Sequence, residues 1–374
     1  GGYSLGAPES QAACTQSYNE FDSSLLVSPF YAIQDGSPPG TYVPAIGSLN
    51  GLLPPYSPTT CDGYQYQERN QTSTSFELRL TSAPGERLEW MGGVYFLDIE
   101  RDVIVAYGAD LGQGFLSQAY VPPEGPNPTD LLFDDTFDTT VYSAYGMVSY
   151  DITDHQEISF ALRYDREERD VSNNVPNVNA GQIFGLFGPR PINPAFDGSG
   201  TDTIPDRDET YSELQPKLTW RWNATEALST YASYGVGFRS GGFNSLGSEA
   251  TIASRYSSFA TGPQNSGDEY DEEISTTFEL GMKSQWLDNT LAFNAAVFYT
   301  EVEDNQFFSF YAGDFGLLRV VNNIDEVTIK GFEVDGKWLP TDFLSIYGSY
   351  GYTDGEIKEN KNRPYTEGNE LPYA

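Results

Sequence analysis

The 374 residues carry 54 acidic side chains against 20 basic ones, a formal charge of -34, together with 26 tyrosines, 23 phenylalanines, 37 glycines and 23 prolines. That charge repels a phosphate backbone and excludes nucleic acid as a partner. No run of 18 apolar residues occurs, which excludes a membrane-spanning helix, and the aromatic, Gly and Pro usage favours strands joined by turns, an all-β chain.

Residues 1–71 are rich in Pro, Gly and Ser and read as one long loop. They hold both cysteines, Cys14 and Cys61, and a disulfide between them would contribute roughly 4 kcal/mol in the chain-entropy model. The chain opens on GGYSLG and closes on GNELPYA, and both ends read as cut from something longer.

From residue 72 onward, period-two alternation predicts about ten strands. They lie near 72–82, 87–106, 139–151, 156–170, 210–222, 227–240, 274–286, 290–306, 319–338 and 343–358. FELRL sets Phe76, Leu78 and Leu80 against Glu77 and Arg79. ISFALRYD sets Ile158, Phe160, Leu162 and Tyr164 against Ser159, Arg163 and Asp165. KLTWRWN and LAFNAAVFY repeat the pattern through Leu218, Trp220 and Trp222, then Phe293, Ala295 and Val297.

The connections alternate in length. APGE at 83–86, TDH at 153–155, NATE at 223–226, LDN at 287–289 and PTD at 340–342 are short. Gly108 to about Asp138, Val171 to Glu209, Gly241 to Glu273 and Phe307 to Leu318 are long, and the first and third hold six acids each. A soluble sandwich has no reason to sort its connections this way. An outer-membrane barrel does, with short periplasmic turns and long cell-surface loops. The expected architecture is an antiparallel up-and-down transmembrane β-barrel whose apolar faces meet lipid and whose polar faces line a lumen. On that reading Phe160, Leu162, Leu218, Leu280, Phe293, Val297 and Ile346 point to lipid, and Arg163, Thr219, Lys283, Asn294 and Ser345 point inward. Trp220, Trp222, Tyr231, Tyr234, Phe238, Trp286, Trp338, Tyr347, Tyr350 and Tyr352 read as aromatic girdles. Gly241 and Gly242 would let the chain leave its strand with backbone angles that other residues resist.

YASYGVGFRSGGFN, then YDEEISTTFELGMKSQWLDNTLAFNAAVFYTEVEDNQ, VNNIDEVTIKGFEVDGKWLP and GNELPYA closely resemble the barrel domain of TonB-dependent outer-membrane receptors. STSFELRLTS and RLEWMGGVYFLDIERD fit the same family, so the resemblance spans most of 72–374. It implies a 22-stranded barrel in the Gram-negative outer membrane, of which about ten strands are present here. It also implies an N-terminal plug and import of a scarce nutrient, a metal chelate such as a siderophore, a vitamin or a glycan, energised through the TonB complex. Outer-membrane lipid and lipopolysaccharide would surround it. The alternatives are a passive porin or a non-transporting surface barrel, with a secreted all-β binding protein further off.

Catalysis finds little support. The sole histidine, His155, falls in a short turn, so no Ser/His/Asp triad or multi-histidine metal site can be assembled, and no cofactor is expected. Asp197 to Glu209 has carboxylates at spacings faintly like a calcium loop, but Asp202 stands where the sharp turn needs Gly, and a solvated acidic loop is the better reading. Arg239 reads as structural. For ligand contact the candidates are the loop aromatics Phe307, Phe308, Phe310 and Tyr311, whose rings can stack on a sugar or a flat chelate, with Tyr31, Tyr42 and Tyr56 as weaker ones.

Overall fold

A computed structural model describes residues 31–32, 43–44, 63–109, 119–121, 129–177, 192–196, 201–256, 266–313 and 316–371. Ten strands form one antiparallel sheet in strict chain order. They are β1 (Gly63–Thr81), β2 (Leu88–Ala109), β3 (Thr129–Thr153), β4 (Gln156–Asn173), β5 (Arg207–Thr225), β6 (Leu228–Arg239), β7 (Glu273–Trp286), β8 (Leu291–Gly313), β9 (Gly316–Thr341) and β10 (Leu344–Glu359). The short connections 82–87, 154–155, 226–227, 287–290 and 342–343 gather at one end of the meander, and the strand ends Ala109, Thr129, Asn173, Arg207, Arg239 and Glu273 lie at the other. These are called the turn end and the loop end below. Cys14 and Cys61 lie outside the described residues.

Cross-strand register makes one face continuously apolar. A single row runs Leu88, Tyr150, Ile158, Trp220, Ala232, Leu280, Val297, Phe332 and Tyr352, each directly opposite the next across adjacent strands. These side chains are not buried by protein; Leu280, for example, is 59% exposed. All five tryptophans, Trp90, Trp220, Trp222, Trp286 and Trp338, share this face near the turn end and are 39–46% exposed. Tyr234, Tyr350 and Tyr352 share it too, whereas Tyr231 and Tyr347 do not. Strand alternation places those two on the polar face, where Tyr231 pairs with Arg221 and Gly281, and Tyr347 with Lys337. Arg163, Thr219, Lys283 and Asn294 occupy the polar face as the alternation predicts.

The largest extensions of the strands beyond the sequence pattern lie toward the loop end. β1 starts at Gly63 rather than 72, and β3 at Thr129 rather than 139. The reason is that the added segments have no single wet face. Leu131, Leu132 and Phe133 are consecutive and all buried, which erases a period of two. The connection expected from Phe307 to Leu318 is not a long loop at all. β8 and β9 stay paired through Phe307–Asn322, Phe310–Arg319 and Tyr311–Leu318 up to Gly313–Gly316.

The buried core sits at the loop end. Val103, Phe137 and Val171 of three adjacent strands pack with Ile204, Phe243 and Leu246 from the connections that fold back over them. Ala106, Leu131 and Val175 form a second cluster, and Val302, Ile324, Val327 and Ile357 a third. Each fully buried side chain of this kind contributes about 1.5–3 kcal/mol. A helix, α1 (Ser248–Tyr256), lies in the 240–272 connection, where none was expected. Asp268 caps its start, accepting from the Gly247 and Glu249 amides at 2.9 Å.

Gly241 and Gly242 serve this packing by close approach. Their backbone angles are not left-handed, unlike those of Gly85, Gly247 and Gly368. A Cβ on Gly241 would meet the Tyr211 ring and the Tyr270 carbonyl at 2.5 Å, and one on Gly242 the Tyr270 hydroxyl at 2.7 Å. The expectation of unusual backbone angles at this pair is therefore corrected to a steric one. Beyond β10 the chain turns through 360–367 and pairs again, the Gly368 amide donating to Ile357 O and the Leu371 amide to Gly355 O, both at 2.8 Å.

Candidate functional site

The polar face carries interlocked side chains. Arg163 donates from Nε to Asp165 Oδ2 at 2.7 Å and from Nη2 to Ser143 Oγ at 2.9 Å, while Gln215 Nε2 reaches the same carboxylate at 2.5 Å. The Tyr145 hydroxyl donates to Glu77, and the Tyr231 hydroxyl to Glu279 at 2.5 Å. Asn294 Nδ2 holds Asp335 at 2.9 Å, and Arg221 pairs with Glu157 at 2.7 Å. A repeated device sets the rings. A Cβ on Gly93 would meet the Tyr145 ring at 2.6 Å, one on Gly281 the Tyr231 ring at 2.4 Å, and one on Gly331 the Phe298 ring at 2.6 Å. Each aromatic therefore packs against a glycine of the next strand, and the two tyrosine hydroxyls still reach a carboxylate.

At the loop end the described residues of the 240–272 connection overlie the polar face. Gln306 fixes its base, donating from Nε2 to Ser240 O at 2.8 Å and Asp271 O at 3.0 Å, and from its amide to Glu273 Oε2 at 2.7 Å. Asn244 clamps Val321 through both backbone groups at 2.8 and 2.9 Å. Asn193, fully buried, donates to Leu132 O and Leu246 O at 2.9 Å. Asp135, also fully buried, accepts from the Leu246 amide at 3.2 Å and from Asn173 Nδ2 at 2.8 Å, and burial pushes its carboxyl up to about 7 against these bonds. Arg239 contributes its backbone carbonyl to Gln306.

The four aromatics singled out from sequence lie on strand β8 and divide between roles. Tyr311 is 3% exposed, its hydroxyl bonded to Ser266 Oγ at 2.6 Å and receiving Arg363 Nη2 at 3.1 Å. Phe307 packs against the Val302–Ile324–Val327–Ile357 cluster. Phe308 and Phe310 stand on the other side of the strand from Tyr311, with Phe310 57% exposed. Arg319, directly opposite Phe310, joins them by placing Cζ 4.3 Å from the Phe308 ring centroid. Sequence reasoning placed Arg319 at the start of the 319–338 strand but not beside the rings, because only the pairing with β8 brings it there.

A family model described as TonB dependent receptor-like, beta-barrel, matches residues 11–374. The chain belongs to this family. The TonB-dependent receptor barrels are Gram-negative outer-membrane proteins, so the apolar face meets lipid. Among solved structures, the barrel is similar to the ferric yersiniabactin uptake receptor FyuA from Yersinia pestis, at 16% identity and a TM-score of 0.56, over 83% of this chain and 39% of that one. It is similar to the ferric citrate transporter FecA at 21% identity and 0.53, over 83% and 39%. It is also similar to the siderophore receptor PiuA from Acinetobacter baumannii at 18% identity and 0.52, over 82% and 42%. These likenesses show a shared fold, and the chain spans about two-fifths of the length of each.

Proposed function

We propose that this chain is part of the barrel wall of a receptor that imports a scarce nutrient into the periplasm with energy passed through TonB, and that it carries no enzymatic activity. Membership of the TonB-dependent receptor-like barrel family over residues 11–374 carries the reading. The class of nutrient is a metal chelate such as a siderophore, a vitamin or a glycan. Neighbours named for ferric yersiniabactin and ferric citrate put metal chelates first among the ligands to test. The candidates for ligand contact are Phe307, Phe308, Phe310 and Tyr311; Phe307 and Tyr311 pack on the covered side of β8, and Phe310 is exposed on the other. The same reading takes residues 1–71 as a cell-surface connection braced by a Cys14–Cys61 disulfide, since folding in the periplasm exposes thiols to oxidation. It also takes lipopolysaccharide as the outer-leaflet neighbour.

Deleting the gene in its own bacterium should abolish saturable uptake of one limiting nutrient among iron chelates, cobalamin and glycans, and inactivating TonB should have the same effect. Uptake that continues unchanged without TonB would make the barrel a passive porin. Unchanged uptake of every nutrient in the deletion strain would make it a non-transporting surface protein.

A further inference from the structure

The ladder between β5 and β6 stops partway along both strands. β5 stays paired with β4 as far as Arg207–Val171, and β6 with β7 as far as Arg239–Glu273. Between β5 and β6, however, pairing runs only from Thr225–Leu228 to Lys217–Gly235. Pro216 is the next residue, and the bonding pattern shows why it ends the ladder. The Asn223 amide donates to His155 O, so the odd-numbered residues of β5 bond β4 and the even-numbered ones face β6. The Gln285 amide donates to Ala227 O, so the even-numbered residues of β6 face β5 in turn. Pro216 therefore stands where β6 needs an N–H, and it has none, which is why proline is otherwise confined to edge strands and bulges. Past it, the backbone groups of Leu214, Val236 and Phe238 and the Pro216 carbonyl are aimed into the break. At the loop end the break is closed, because beyond Arg239 the chain crosses the polar face of β5, with Ser240 Oγ donating to Glu167 at 2.6 Å and Gly241 lying against the Tyr211 ring. What remains is a window about 13 Å tall at ~3.3 Å per residue, between 213–216 and 236–239.

The window opens inside the membrane. Pro216 lies about 20 Å of strand from Trp222 at ~3.3 Å per residue, past the middle of an apolar band about 25 Å tall. Hydrocarbon cannot satisfy backbone groups, so those in the window must meet water from the lumen or a polar ligand. The lumen side has room for one: Gly235 and Gly237 present no side chain there, and the stem of exposed Lys217 lies across Gly235, its Cγ 3.5 Å from where a Cβ would stand. On the lipid side a trough of about 520 Å³ begins at Leu218 and Tyr234, the rung just below the window. It continues around Ala232 between Trp220, Leu280 and Val297, and its size is that of a ligand pocket, about 300–1,000 Å³.

We propose that this window is a lateral binding site for a long-chain fatty acid. The carboxylate meets Lys217 on the lumen side, and the acyl chain passes between Pro216 and Val236 to lie in the trough at Ala232. The trough is continuous with the face that meets lipid, so an acyl chain is what it is offered. A diacyl lipid does not fit, because its head group stays at the membrane surface while Lys217 stands deep in the wall on the opposite face. The site goes beyond nutrient import and requires nothing from TonB.

The test uses the full-length protein in detergent and follows binding of radiolabelled palmitate, with the fold of each variant checked by heat-modifiability on gels. Lys217→Gln should weaken palmitate by roughly 10- to 100-fold, the worth of a charge-assisted hydrogen bond, and leave hexadecanol, the same chain without the charge, within about 2-fold of the parent. Lys217→Arg should stay close to the parent. Ala232→Trp, which fills the trough from the lipid side, should weaken both ligands by about 10-fold or more. Pro216→Val returns the missing N–H and should let the ladder close, weakening both ligands as well. It should also slow hydrogen exchange at the Val236 and Phe238 amides, which in the parent exchange about 10-fold or more faster than those of Ala232 and Tyr234. Palmitate taken up no better than by empty micelles overturns the proposal, as does parent-like binding in Lys217→Gln, in Ala232→Trp or in a Pro216→Val protein whose two amides have slowed. Equal loss of palmitate and hexadecanol in Lys217→Gln overturns it too, and so do Val236 and Phe238 amides as protected in the parent as those of Ala232 and Tyr234. Displacement of palmitate by dipalmitoyl phosphatidylglycerol as effectively as by unlabelled palmitate makes the occupant a membrane lipid and overturns the fatty acid. None of these readouts involves uptake, so a failure here leaves the transport reading standing, and TonB-independent uptake leaves the site standing.

Discussion

Asp135 ties the inward-folded 240–256 segment to β3, and its protonation state is set by where it sits. Burial raises its carboxyl to about 7, opposing the Asn173, Ser245 and Leu246 hydrogen bonds that favour the ionised form. A raised folded-state value stabilises the fold in full below the unfolded carboxyl value near 3.9 and loses that contribution as pH rises to about 7, on the order of 4 kcal/mol at most. Asp135→Asn should therefore flatten the decline in thermal stability between pH 4 and pH 7 measured on the full-length protein in detergent. A variant whose profile keeps the parent's slope would remove Asp135 as the cause. Nothing in DLLFDDTFD distinguishes this aspartate from Asp130, Asp134 or Asp138; only the fold-back of Leu246 buries it. The place of Arg319 beside the rings escaped notice for the same reason, since long-range pairing and not local sequence gives it its neighbours.

The elements themselves were legible where one face of a strand meets lipid. There FELRL, ISFALRYD and KLTWRWN keep strict alternation, and their boundaries at the turn end fall within a few residues of those observed. Toward the loop end both faces meet either water or protein, so the period fades while the ladder continues. One consequence is a row of like charges: Glu100, Asp138, Asp170 and Asp208 stand directly opposite one another on four adjacent strands, all exposed on the lipid-side face. Asp170 lies about 40 Å of strand beyond Ile158 at ~3.3 Å per residue, which clears an apolar band about 25 Å tall even on a strand tilted by about 40°. Burial, then Asp208, Asp138 and Glu168, hold the Asp170 carboxyl above the usual range. Like charges directly opposite in a sheet destabilise it. Asp170→Asn should therefore raise unfolding stability at neutral pH by about 0.2–1 kcal/mol, with the gain shrinking as salt screens the row. A loss of stability instead would mean that these carboxylates are held together by bound cations.

At the scale of the whole molecule, the same alternation that exposes apolar side chains to lipid lines the lumen with paired polar ones, and the two faces must answer a charge differently. Val297 lies in the apolar row between Leu280 and Phe332, about 20 Å of strand from Leu291 and the Trp338 level, near the middle of the bilayer. Asn294, three positions earlier, faces the other way between Lys283 and Asp335. An arginine at 297 has no protein partner and must either sit in hydrocarbon or drag water to it, at about 2–4 kcal/mol. An arginine at 294 gives up the amide bond to Asp335 but can place its guanidinium on the same carboxylate, in a lumen that tolerates charge. Val297→Arg should lower the folded fraction in urea titrations of the full-length protein in lipid vesicles and reduce the heat-modifiable band on gels, while Asn294→Arg should stay close to the parent. The comparison isolates the membrane because a soluble sheet would bury the Val297 face in a protein core, where arginine fails in detergent and in water alike. In the barrel the penalty should shrink when the lipid is replaced by a detergent whose thin, pliable belt lets the guanidinium reach water. Equal tolerance at the two positions, or equal loss in lipid and in detergent, would contradict the assignment of the apolar face to the bilayer.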